Sequence, residues 1–202
     1  MNLLDRFTNR LSFRDYDDFY ANFRLIVPEN FHFAYDVVDE YAAIAPEKRA
    51  MVWCDDLGDE RIFTFADIKR ISDKAANFFL SRGIGRGDTV VVILQRRHEY
   101  WTTLMALAKI GAIAIPATHM LMEKDLVYRM EKAGVKMVVA VNEPELCENI
   151  LKAAKKVPCV QHLASVGTYE GFRDFDAEVA LQPDKLPALP YKTERSAEDV
   201  LL

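Results

Sequence analysis

Cysteine is scarce in this chain: Cys54, Cys147 and Cys159 are the only three among 202 residues, and none stands in a CxxC or comparable metal-ligand spacing. An odd number without paired spacing argues against a disulfide framework or a cysteine zinc site. The three read as structural or incidental thiols suited to a reducing compartment. No apolar run approaches the roughly 18 residues of a membrane span. The opening MNLLDRFTNRLSFRDYDDFY mixes charges of both signs and holds no apolar stretch of signal-peptide length, so the expectation is a soluble, cytoplasmic protein. Basic charge is not in excess either. With 26 Lys and Arg scattered against 31 Asp and Glu, for a net charge of -5, nucleic acid is not an expected partner. Nor is there a Ser/His/Asp order, a pair of carboxylates at a telling spacing, or a metal-ligand set.

What is present is apolar sequence, half of all residues, enough to bury a core for one domain with extensions. The pattern is organised around Glu99–Thr118, EYWTTLMALAKIGAIAIPAT. Tyr100, Trp101, Leu104, Met105 and Ala108 fall three or four apart, the spacing of one helical face. Gly111 can take the left-handed conformation that ends a helix. AIAIPA then lacks polar alternation, as a strand covered on both faces does, and Pro116 ends it because proline has no donor for a ladder. The strand opens onto Thr118 and His119. In open parallel sheets ligands bind beyond the carboxyl ends of strands, which makes these two residues the candidate cleft edge.

Residues 1–45, rich in aromatics and acids, read as a helical extension laid over the main domain, with FHFAYDVVDEYAAIAP as its clearest helix ending before Pro46. Residues 46–165 read as an α/β subdomain. AMVWCDDLGDERIFTF is a hairpin around the polar turn Asp55 to Glu60, whose acids lack the ligand spacing of a calcium loop. Thr64 and Asp67 resemble a capping box for a helix that Gly83 stops. GIGRGD follows a helix and precedes the strand TVVVIL, the reverse of a phosphate-cradling loop, so it reads as a turn. Strand starts then recur near Thr89, Ala112, Lys136 and Cys159, with helices over roughly 99–110, 123–133 and 144–156. That alternation predicts right-handed parallel crossovers and a flavodoxin-like, doubly wound layer. Residues 166–202, with Pro183, Pro187 and Pro190, read as a connector, and its last residues EDVLL as a strand begun.

Arg96, Arg97 and His98 stand where a strand passes into a helix and could steer an anion to that helix start, though a solvated loop explains them as well. Met120, Leu121 and Met122 read as core. No second catalytic partner is fixed near His119.

Taken together, FTFADIKRISDKAANFFLSRGIGRGDTVVVI, Glu99, LMALAKIGAIAIP and KDLVYRMEKAGVKMVV resemble the N-terminal segment of AMP-forming acyl-CoA synthetases, in the adenylate-forming superfamily. The PATHML loop followed by KDLVYR is similar to the medium-chain branch. The resemblance implies a parent ligase that joins a carboxylate to ATP, releases pyrophosphate, and lets coenzyme A displace AMP, with magnesium stabilising phosphate charge. In that family the phosphate-binding loop follows a strand like EDVLL, so no catalytic, cofactor-binding or metal residue carries over onto a position here, and the 202 residues alone are expected to be inactive. ATP, Mg and CoA belong to the parent. Two other readings stand beside this one: a stand-alone α/β module holding a nucleotide or acyl ligand, and an interaction domain using the aromatic N-terminal arm.

Overall fold

The computed structural model describes residues 3–196 and 198–202. A hairpin of β1 (Arg49–Cys54) and β2 (Glu60–Thr64) stands apart from a five-stranded sheet of β3 (Thr89–Ile93), β4 (Ile113–Pro116), β5 (Met137–Val141), β6 (His162–Val166) and β7 (Arg173–Asp174). The large sheet runs in the order β4-β3-β5-β6-β7 and every pair in it is parallel. After β4 the chain crosses back over β3 to place β5, so the winding reverses between β3 and β5 as in flavodoxin-like sheets. All five residues of β3 and of β5 are buried, which is why their sequences carry no polar alternation.

Among the described residues eight α-helices surround the strands: α1 (Tyr16–Asn22), α2 (Glu40–Ile44), α3 (Phe65–Ser81), α4 (His98–Ile110), α5 (Glu123–Ala133), α6 (Pro144–Ala154), α7 (Phe175–Ala180) and α8 (Tyr191–Glu194). Helices α3, α4 and α7 pack together, and α5 pairs with α6. The start of α3 is the expected capping box: Asp67 N–H donates to Thr64 Oγ1 at 3.2 Å while Thr64 N–H donates to the Asp67 carboxylate at 3.1 Å. Phe78 and Phe79 on α3 are fully buried, each contributing roughly 2–3 kcal/mol of burial. Gly111 ends α4 at φ 71°, and a Cβ there would lie 2.9 Å from the Tyr191 ring, so α8 closes over the α4–β4 corner only because the residue is glycine.

Several expectations change. The helix read over FHFAYDVVDEYAAIAP is a π-helical stretch, Phe33–Asp39, continued by α2. Strand β6 starts at His162, three residues after Cys159. Within the stretch read as a connector, β7 and α7 add a strand and a helix to the layer. Leu121 is core, but Met120 and Met122 are 73% and 50% exposed. The fully buried side of α4 is Glu99, Thr102, Thr103, Ala106, Leu107, Lys109 and Ile110; of the stripe Tyr100, Trp101, Leu104, Met105 and Ala108, Tyr100 and Leu104 are half-buried against the core and Trp101 is exposed. The reason lies at Lys109.

Lys109 is fully buried, with its ammonium 2.7 Å from Asp73 Oδ1, 2.7 Å from Asp39 Oδ1 and 2.9 Å from Ser72 Oγ. Asp73, from α3, also pairs with Lys69. Burying this charge is tolerable only because both carboxylates meet it, and meeting them fixes how α4 is rotated against α3. Residues preceding α2 complete the arrangement by capping the end of α4. Tyr35 Oη donates to the Lys109 carbonyl at 2.7 Å, and His32 Nε2 lies 3.0 Å from the Ala108 carbonyl. Burial outweighs the lysine at Asp39 and raises its pKa above the usual carboxylate range.

Removing the charge from Lys109 takes the ion-pair partner from Asp39 and leaves Asp73 with Lys69 alone. Lys109→Met is expected to cost about 3–5 kcal/mol in urea unfolding, and Lys109→Met with Asp73→Asn to recover part of that. His32 gives a pH prediction. Burial lowers its pKa from 6.5, with Arg195 and Lys109 acting in the same direction, against the Ala108 carbonyl and Asp36. The fold therefore favours neutral imidazole, and the corresponding stability, complete at neutral pH, is lost as pH falls below 6.5. His32→Gln, which keeps a donor for Ala108, should lose less of its melting temperature between pH 7.5 and pH 5.5 than the unmodified chain.

Candidate functional site

Beyond the carboxyl end of β3 the chain passes through Leu94 to Arg97 into α4, and beyond β4 through Ala117 to His119 toward α5. These two corners and the hairpin enclose an open cleft of about 590 Å³. Thr118 and His119 form one wall with Ala117, Gln95, Arg96 and Arg97 the floor, and Trp53 to Asp56 the facing wall. The hairpin is held there by Trp53, whose indole N–H donates to the Arg96 carbonyl at 2.8 Å. Sequence reading paired Thr118 only with His119; the tertiary structure adds Gln95, the arginines and the hairpin to the same space.

Gln95 is the unusual residue. Its φ is +50°, the one positive value among non-glycine residues described, a backbone state that costs a side chain about 1 kcal/mol or more. The amide Nε2 donates to Glu143 Oε1 at 2.6 Å. Gln95 follows β3 and Glu143 follows β5, so the bond bridges the crevice where the winding reverses. Glu143 and His119 also line a second, smaller space of about 260 Å³ with Met120 and Met122, so the Thr118–Met122 corner separates two hollows at one edge of the sheet. No sequence signal marks Gln95, since a left-handed glutamine is visible only in the backbone.

The charges of the cleft divide by wall. Arg96 and Arg97 are exposed, and Arg97 also pairs with Glu99 at 3.3 Å. His98, by contrast, is drawn out of the cleft: its Nε2 lies 2.8 Å from Arg61 and its ring packs on Trp53 and Phe63. Burial lowers its pKa, so it serves the hairpin contact as neutral imidazole. Across the cleft Asp55 is committed to its own turn, accepting from Leu57 N–H at 2.9 Å and Asp59 N–H at 3.0 Å. Among the described residues no set of three or more His, Cys, Asp or Glu is placed to hold a metal ion. No described helix is long and apolar enough to cross a membrane. Cys54 is exposed beside the cleft, Cys147 is buried and all three thiols are free. What the arrangement offers is an open, anion-tolerant hollow beside two arginines, with a hydroxyl and an imidazole on its rim.

Comparison with known proteins gives this geometry a family. The chain is 36% identical over 123 residues to the acyl-coenzyme A synthetase ACSM4, mitochondrial, of Rattus norvegicus, a match covering 58% of this chain and 21% of that protein. It is 31% identical over 134 residues to the acyl-coenzyme A synthetase ACSM3, mitochondrial, of Homo sapiens, covering 63% and 23%. The chain thus spans about a fifth of the length of these curated relatives. A solved acyl-CoA synthetase from Brucella canis superposes with a TM-score of 0.69 over 85% of this chain and 30% of that one, at 24% identity, which shows the same fold. The family model for AMP-binding enzymes matches residues 38–201. From Val38 in the π-helical stretch to Leu201 beside β4, this chain belongs to the AMP-binding enzyme family.

Proposed function

We propose that these residues are the opening segment of an AMP-forming acyl-CoA ligase, whose carboxylate, ATP and coenzyme A meet at the carboxyl edge of the five-stranded sheet. The supporting observation is the course of the last residues. Arg86 holds Asp199 at 3.0 Å, Ser196 N–H donates to the same carboxylate, and the Leu201 carbonyl accepts from Ala114 N–H at 3.0 Å. Asp199–Leu201 thereby lies at the outer edge of β4, joined to it by one backbone hydrogen bond, and any residues following in that direction would emerge beside Thr118 and His119. A phosphate-cradling loop there would face the cleft already lined by Arg96 and Arg97.

In this reading a carboxylate oxygen of the substrate attacks the α-phosphorus of ATP and pyrophosphate leaves with the bonding electron pair. The coenzyme A thiolate then attacks the acyl carbon and AMP leaves. The part assigned to this chain is positional: a rigid parallel sheet sets the floor of the hollow, the Gln95–Glu143 bond holds the crevice between β3 and β5, and the two guanidinium groups bias the space toward anions. Magnesium is proposed with the nucleotide, whose phosphate oxygens would supply ligands for it. The relatives' names carry the acyl-CoA synthetase activity, and medium-chain acids are the first carboxylates to test.

A longer protein carrying this segment should convert ATP, coenzyme A and a medium-chain acid into acyl-CoA with one AMP and one pyrophosphate per turnover, while these 202 residues alone make none. Release of ADP and phosphate by the longer protein, or steady acyl-CoA formation by the short one, would overturn the reading. In the longer protein His119→Ala should lower kcat/KM several-fold and leave the melting temperature unchanged, because the side chain is exposed on the cleft wall.

A further inference from the structure

Residues 190–201 do more than connect. They lie as a strap over the corner between α4 and β4, and two arginines hold the strap in place. The first is Arg86, from the GIGRGD turn that leads out of α3. Its guanidinium lies 5.3 Å from the centre of the Tyr191 ring, bonds Asp199 at 3.0 Å and stands 3.9 Å from Glu194. The second is Arg195, on the strap itself. Its Nε donates to the Asn30 carbonyl at 3.0 Å, and its Nη2 lies 3.2 Å and 3.3 Å from the two Asp36 carboxylate oxygens. Its Nη1 donates to the Lys192 carbonyl in the last turn of α8. Every nitrogen of the guanidinium is therefore engaged, which fixes orientation as a point charge would not.

The groups that receive these arginines are themselves anchored. Asp36 also accepts the His32 N–H at 2.7 Å, and Tyr35, whose ring lies 5.5 Å from the Arg195 guanidinium, caps α4 at the Lys109 carbonyl. Between the two arginines Tyr191 is buried over Gly111, edge-on to the His32 ring. Asn30 and Asp36 precede the family match, which begins at residue 38, while Arg195 falls near its end. The clamp thus ties the N-terminal extension to the end of the strap, giving the extension a part that the ligase reading leaves unassigned. Beyond Asp199, the strap reaches the large sheet through the bond from Ala114 N–H to the Leu201 carbonyl. One backbone bond does not fix a direction. Direction comes from Arg86 on Asp199 and from the turn that the same carboxylate closes by accepting Ser196 N–H at 2.9 Å.

We propose that Arg86 and Arg195 are positioning residues of the ligase: by clamping residues 190–201 onto this corner, they set where any residues following Leu202 enter the cleft beside Thr118 and His119. The positioning role rests on the ligase reading. Neither arginine lines the cleft, so both act through the strap. With the strap released, the arrangement that holds the phosphates exists in only a fraction of the molecules. Apparent affinity for ATP falls by that fraction, and saturating ATP restores the competent state.

Two measurements test the clamp and the role separately. In the 202-residue chain, hydrogen exchange at the Ala114 amide reads the strap, because its partner is the Leu201 carbonyl, and exchange at Val139 in the buried strand β5 reads the fold. Arg86→Ala and Arg195→Ala should each speed exchange at Ala114 at least about fivefold and leave Val139 unchanged. Arg195→Lys, which keeps a charge for Asp36 without the fork, should fall between. In a longer protein carrying this segment, either alanine variant should raise KM for ATP at least about threefold, with kcat within about twofold and KM for coenzyme A unchanged. Unchanged Ala114 exchange in both variants overturns the clamp. Equal acceleration at Val139 overturns it too, since the arginines would then support the whole fold. A fall in kcat at unchanged KM for ATP overturns the positioning role. No acyl-CoA from the unmodified longer protein defeats the ligase reading and the role with it, while exchange at Ala114 still decides the clamp.

Discussion

One ammonium group holds three separate parts of this chain in register. Lys109 sits on α4, Asp73 on α3 and Asp39 at the junction of the π-helical stretch with α2, and the three charges meet with no exposure at the lysine. In a low-dielectric interior none of them could be buried alone, so each forces the others into place. The same contact decides which side of α4 is inside, and through Gly111 and Tyr191 it bears on the corner that launches β4. The position of β4 in turn sets where Thr118 and His119 stand.

The candidate site inherits its rigidity from this arrangement rather than from contacts of its own. Its floor is the carboxyl edge of a parallel sheet whose central strands are wholly buried. The Gln95–Glu143 bond crosses the winding reversal, and the Trp53–Arg96 bond ties the hairpin to it. Every wall is therefore anchored to packed structure, while the functional side chains themselves remain exposed. A hollow of this kind suits large anionic ligands that complete their own surroundings, because the protein supplies position and sign of charge more than enclosure.

Two of the sheet edges, those of β4 and β1, behave differently for a physical reason. The edge of β4 begins to be covered by Asp199–Leu201, whose anchor is the Arg86–Asp199 pair. Among the described residues no such segment bonds to the outer edge of β1, which carries apolar side chains. Edge strands that avoid pairing place like charges or prolines along the edge.

The sequence alone determined the alternation of strands and helices, the parallel flavodoxin-like sheet, the hairpin, the capping box at Thr64 and the glycine ends of α4 and α5. It also placed Thr118 and His119 at a strand end. All of these are local in origin: periodicity, cap chemistry and glycine conformations act over a few residues, so they can be read without knowing what lies across the molecule. Tertiary structure decided the rest. The apolar stripe of α4 at Trp101 looked like its buried face, but burying Lys109 against two distant aspartates was the stronger constraint. β7 and α7 are too short to leave a periodic signal and exist because β6 offers an edge to pair with. Gln95 joined the site through a backbone angle and a partner 48 residues away. Such features depend on pairings distant in sequence, where charge and hydrogen-bond satisfaction outweigh the local preference of any one segment.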